Sequence, residues 1–152
     1  MDPVIEIRHL DTPADLTAAY DVMRALRPHL SGVDAFVAQL DRQRAEGYRL
    51  LAAVDGARVL GLSGYRHQTN LLYGRFVYVD DLVVDPALQR HQIGARLLDA
   101  TRTIARESGC AHFVLDTGLH MPLAQRFYFR NGMLAKGMHF VEPLTALETT
   151  PR

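Results

Sequence analysis

Between Val4 and His9 the chain alternates, with Ile5 and Ile7 set against Val4, Glu6 and Arg8. That period of two predicts a first strand. The period then lengthens. Leu16, Ala19, Tyr20, Met23 and Leu26 recur at spacings of three and four, the face of a helix that stops near Pro28. Its start is marked by Thr12 as N-cap, Pro13 in the first helical position and Asp15 at the third. Val33, Phe36, Val37 and Leu40 predict a second helix over Val33–Glu46, closed by Gly47. Two apolar runs follow, Tyr48–Val54 and Arg58–Tyr65, joined at Asp55-Gly56 as in a hairpin. After a polar turn over His67–Gly74, the run Arg75–Val84 is apolar on both faces, as a central strand is. Ile93, Leu97, Ala100, Ile104 and Ala105 predict a helix ending near Ser108-Gly109. His112–Asp116 is a fifth strand. Pro122 starts a short helix carrying Ala124, Phe127 and Tyr128, which ends at Asn131-Gly132. Met133–Glu142 is predicted as a last strand that Gly137 weakens.

The order β-α-α-β-β-β-α-β-α-β describes an α/β fold with a mixed central sheet flanked by helices, antiparallel first and with a strand–helix–strand crossover later. The 152 residues are expected to form one domain over 1–144, with a tail at 145–152. Composition narrows the class without choosing the function. The chain is 48% hydrophobic and 22% charged, as ordinary globular proteins are. Seventeen basic residues balance seventeen acidic ones, so nothing global argues for nucleic acid or an anionic membrane as partner. A net charge near zero permits self-association. The first sixteen residues lack a signal-peptide pattern, and no run approaches the ~20 apolar residues of a membrane span. Cys110 is the single cysteine; with no internal disulfide, a cytoplasmic location is expected.

The segment from Val77 to Leu98 concentrates the chemistry. A strand ends at Asp85-Pro86, a polar turn carries Gln89, Arg90, His91 and Gln92, and a helix opens at Ile93-Gly94. The first turn of a helix presents N–H groups without partners and a partial positive charge, which suits a phosphate. Gly94 permits close approach to the backbone, and Arg90, His91 and Arg96 add positive charge.

Gln89-Arg90-His91-Gln92-Ile93-Gly94 resembles the signature of the GNAT superfamily of N-acetyltransferases, which reads Gln or Arg, two residues, Gly, one residue, Gly or Ala, directly after a strand. The first and last positions match; Gln92 stands where the family usually has Gly. The flanking VDDLVVDP, and AQRFYFRNGM from Ala124 to Met133, resemble the family's neighbouring motifs. The resemblance implies the GNAT fold and an acetyl-CoA-dependent N-acetyltransferase, in which a primary amine attacks the acetyl group directly in a ternary complex. It implies that the backbone of Gln89, Arg90, His91, Gln92, Ile93, Gly94 and Ala95 holds the coenzyme pyrophosphate. Leu82, Val83 and Val84 inherit the pairing with the pantetheine arm and the donor for the acetyl carbonyl. Tyr128 inherits the role of general acid, protonating the departing thiolate. The implied partner is an amine, on a small molecule or a protein, and the family's habits point to a homodimer. The alternative is a non-catalytic acyl-CoA-binding or regulatory module on the same fold, with Gln92 as the sign of a drifted site.

Asp80 and Asp81 are costly in a mostly apolar strand unless used or paired. Alternation sends them to opposite faces. Asp80, which shares the parity of Leu82 and Val84, is the expected general base; a cap or turn role suits Asp81. The histidines lack metal-ligand spacing, so no metal is expected. His139 is expected as a partly exposed strand residue. Leu115–Gly118 (LDTG) is read as a strand end and turn, without the remainder of an aspartic-protease signature.

Overall fold

The computed structural model of the chain describes residues 4–145, apart from the side chains of residues 89–91. The expected tail lies outside the described residues from 146 onward. The chain forms two compact units, one up to Leu115 and one from Asp116 on.

The first unit contains β1 (Glu6–His9), α1 (Pro13–Leu26), α2 (Val33–Ala45), β2 (Tyr48–Asp55), β3 (Arg58–Asn70), β4 (Gly74–Val84), α3 (Ile93–Glu107) and β5 (His112–Leu115). The strands form one sheet in the order β1-β2-β3-β4-β5. Each neighbouring pair is antiparallel except β4 and β5, which run parallel across the α3 crossover. This is the α/β fold with a mixed sheet read from the pattern.

Each face of the sheet has its own core. Leu50, Ala52, Val54 and Leu62 pack with Leu16, Ala19, Met23, Phe36 and Leu40 of α1 and α2. Leu51, Ala53, Leu60, Val77 and Val79 pack with Ile93, Leu97 and Ala105 of α3. Alternation along β2 therefore divides the chain's apolar residues between two layers. Gly61 permits the close seat of α3, since a Cβ there would lie 2.9 Å from Leu97 Cδ1 and 3.1 Å from Val83 O. One polar pair is fully buried on this side. Thr101 Oγ1 donates to Leu97 O at 2.8 Å, which leaves Ser63 Oγ to donate to Thr101 Oγ1 at 2.8 Å.

Local signals place the ends. Thr12 accepts from the Asp15 amide and the Asp15 carboxylate accepts from the Thr12 amide, a complete capping box. The β2–β3 loop is Gly56-Ala57, flanked by the Asp55–Arg58 pair, with Gly56 at φ +58°. β3 runs past the expected Tyr65 to Asn70, because His67–Asn70 pair with Gly74–Val77. Polar side chains are no obstacle there, since cross-strand backbone pairing holds the strand. The turn shrinks to residues 71–73, where Asn70 Oδ1 accepts from the amides of Leu72 and Tyr73.

Two register shifts interrupt the sheet. In β4, Gly64 lies opposite Asp81 and Tyr65 opposite Val79, so Asp80 is an extra residue without a β3 counterpart. Such a bulge resets the alternation. Val77 and Val79 face α3, as do Leu82 and Val84, while Val83 packs toward α1 and α2.

In the second unit α4 (Pro122–Arg130) begins with proline in its first turn and ends at Asn131, followed by Gly132 at φ +85°. The strand expected over Met133–Glu142 does not form; residues 133–140 have no regular secondary structure. Gly137 at the centre of that run carries the highest backbone entropy and no side chain to pack, which removes the reason to extend.

Candidate active site

The end of β4 and the start of α3 bring most of the expected site residues into one continuous run. The ladder with β5 stops at Val79–Leu115. Leu82, Val83 and Val84 pair with Ser63, Leu62 and Gly61 of β3, and among the described residues no strand pairs with their other edge. Peptide groups on such an edge are available to an extended ligand. The chain then turns at Asp85, whose Oδ1 accepts from the Ala87 amide at 3.0 Å and whose own amide donates to Leu60 O at 2.8 Å. A short 3-10 turn, Pro86–His91, leads to Gln92. The expected contributions of the Gln89, Arg90 and His91 side chains lie outside the described residues.

Gln92 has φ 56° and ψ 24°, the left-handed conformation, and is the one non-glycine residue at positive φ among the described residues. The site therefore requires here what glycine adopts without penalty and glutamine adopts at a cost of about 1 kcal/mol. The Gln92 side chain is exposed and does not cap α3. Ile93 is fully buried and anchors the first turn. Gly94 and Ala95 follow it, half-buried. An uncapped first turn aims N–H donors and the positive end of the helix dipole outward, which fits a phosphate group.

Asp80 and Asp81 correct the alternation argument. They do not face opposite sides: the bulge turns both toward α1 and α2, where they line the same cleft. The cleft has a volume of about 400 Å³ and is bounded by Met23, Arg27, Leu30, Phe36, Tyr48 and Tyr78 among others. Nor does Asp81 cap a turn. It lies 3.0 Å from Arg27 Nε, 2.9 Å from Arg27 Nη2 and 2.8 Å from the Tyr48 hydroxyl, which donates to it. Tyr48 reaches that point because Gly64 has no side chain; a Cβ there would overlap the phenol. Burial first, and the Asp81 charge second, push the Tyr48 phenol well above the usual range, so it stays a neutral donor.

Asp80 pairs with Arg66 in a two-pronged contact, Nε to Oδ2 at 2.9 Å and Nη2 to Oδ1 at 2.8 Å. Burial nevertheless raises its carboxyl above the ordinary aspartate value, outweighing the opposing pull of Arg66. A carboxylate has roughly four lone-pair positions. Each carboxylate accepts two hydrogen bonds, Asp81 from Arg27 Nε and the Tyr48 hydroxyl and Asp80 from Arg66. Asp80 therefore retains capacity to accept a proton.

Tyr128 stands on α4 in the second unit, its ring edge-on to Phe127 at 5.4 Å between centroids. Burial raises its phenol, which keeps it protonated. His139 is exposed and pairs with Asp116 at 2.7 Å rather than lying in a strand. Sequence reasoning missed Arg27, Tyr48, Gly64 and Arg66. The one signal for them is the adjacent pair of acids in an apolar strand, which demands partners.

A model of the Acetyltransferase (GNAT) family matches residues 15–133. The chain is 27% identical over 146 residues, 93% of each sequence, to an aminoalkylphosphonate N-acetyltransferase of Salmonella typhimurium. A structure described as a transcriptional regulator from Bacillus halodurans C-125 superposes with a TM-score of 0.81 at 20% identity, covering 91% of this chain and 99% of that one. AAC(6')-Iy, solved with the bisubstrate analog CoA-S-monomethyl-acetylneamine, gives 0.79 at 16% identity, covering 91% and 97%. At those identities the structural likeness speaks for the fold.

Proposed function

The chain belongs to the acetyltransferase (GNAT) family and is an N-acetyltransferase, and from that premise we propose that it moves the acetyl group of acetyl-CoA to a primary amine by direct attack in a ternary complex. The observation that carries this reading is the run from Asp80 to Ala95. It joins a carboxylate in a cleft, a strand edge open to pairing and an uncapped helix start.

Acetyl-CoA supplies the activated acetyl thioester. In this reading the backbone of residues 89–95 holds its pyrophosphate. The peptide groups of Leu82, Val83 and Val84 align the pantetheine arm and polarise the acetyl carbonyl. Asp80 takes the amine's proton, directly or through a water. Tyr128 gives a proton to the thiolate; burial raises its phenol above the ordinary value, so it is protonated when the thiolate departs.

A cleft of about 400 Å³ fits a small amine, near the lower end of ligand-site volumes. The name of the Salmonella relative makes aminoalkylphosphonates the first acceptors to try. A reducing, cytoplasmic location is consistent with Cys110 as the sole cysteine, and among the described residues no helix is long and apolar enough to cross a membrane. The test is thiol release from acetyl-CoA across a set of aminoalkylphosphonates, amino acids, aminoglycosides and peptides. Amine-dependent release, with the acetylated amine found by mass spectrometry, is the expected result. Coenzyme binding with no release across that set would favour the non-catalytic module.

A further inference from the structure

We infer that Arg27 is a positioning residue of the transfer reaction: from the end of α1 it clamps the β4 bulge, and so fixes the direction of the Asp80 carboxylate and of the backbone after it. The inference rests on the function proposed above.

A bulge leaves its extra residue outside the ladder, with backbone groups that need another partner. Arg27 Nη2 supplies it, donating to the Asp80 carbonyl at 2.9 Å. The same guanidinium holds the Asp81 carboxylate through Nε at 3.0 Å. One planar group thus ties together two consecutive residues of the bulge, which a flexible ammonium cannot reproduce. Arg27 is itself fixed. It is the C-terminal cap of α1, its amide bonded to Met23 O at 2.8 Å, where the helix dipole favours a cation. Tyr48 completes the clamp from β2. Arg27 also forms part of the wall of the cleft, so the group that holds the bulge touches the space assigned to the acceptor.

The test compares Arg27→Lys and Arg27→Met with the wild type. It measures thiol release with an accepted amine across pH, and acetyl-CoA binding by calorimetry. The groups facing Asp80 are Arg66 of β3, Arg27 of α1, Tyr48 of β2 and Asp81 and Tyr78 of β4, with His29 at the cleft wall. Losing Arg27 leaves Asp81 uncompensated beside Asp80, so the limb that rises with pH moves to higher pH. A misaligned site costs on the order of 10²-fold in kcat, with acetyl-CoA binding weakened but retained and partial rescue of Arg27→Met by methylguanidine. Wild-type kcat and an unmoved limb in both variants would overturn the clamp, as would a pure rise in acceptor KM. If the wild type acetylates no amine, the functional reading fails instead, and amide exchange decides the clamp. Faster exchange at Val83 and Asp85, whose amides face β3, in Arg27→Met supports it, and unchanged exchange rejects it.

Discussion

Asp80 and Asp81 are covalent neighbours with different work to do. Asp81 is consumed by structure, bound by Arg27 and Tyr48. Asp80, pushed up by burial and held by Arg66, lines the cleft. As the proposed base, Asp80 works in its ionised form, so activity is expected to fall as pH drops through a value above the ordinary aspartate range. Asp80→Asn removes that limb and lowers kcat by about 10²–10⁴-fold; a pH–rate profile with the limb intact would move the base elsewhere. Gln92 makes a second case. Glutamine pays there for a left-handed conformation that glycine adopts freely. Gln92→Gly is expected to leave acetyl-CoA affinity equal or tighter by calorimetry, with stability changed by no more than about 1 kcal/mol, since relief of strain offsets glycine's entropy. The motif showed that Gln92 stands where the family usually has Gly, but not that its backbone is left-handed. The shared face of Asp80 and Asp81 was not: β4 is apolar in both phases, so a bulge leaves no trace in the pattern.

At the scale of elements, α3 holds the site in place. Its first turn is the candidate anion site, and Ile93, Leu97 and Leu98 are completely buried behind it. Leu97→Ala is expected to cost about 2–5 kcal/mol, the range for a buried leucine in a close-packed core. In urea this appears as a lower midpoint at unchanged slope; a loss below 1 kcal/mol would mean that the α3 seat is loose. Elements with a strong local code were readable. The Thr12–Asp15 capping box set the start of α1, and the spacing of Ile93, Leu97 and Ala105 identified α3. Reading failed where pairing rather than pattern decides. The end of β3 extends because β4 pairs with it, and Met133–Glu142 is irregular despite its apolar content.

For the whole molecule, function was more legible than specificity. The motifs proposed to bind the coenzyme are contiguous stretches that act through their backbone, so a sequence exposes them directly. The cleft draws Met23 and Arg27 from α1, Phe36 from α2, Tyr48 from β2 and Asp80 from β4, residues that only the fold brings together. The proposed function stands on this chain holding acetyl-CoA through the run from β4 into α3. Calorimetric titration of the full chain with acetyl-CoA, beside ATP as a control, tests it most directly. The expected dissociation constant is on the order of 1 µM for acetyl-CoA, about −8 kcal/mol, with none of that affinity for ATP. Absence of acetyl-CoA binding, or equal binding of ATP, would contradict it.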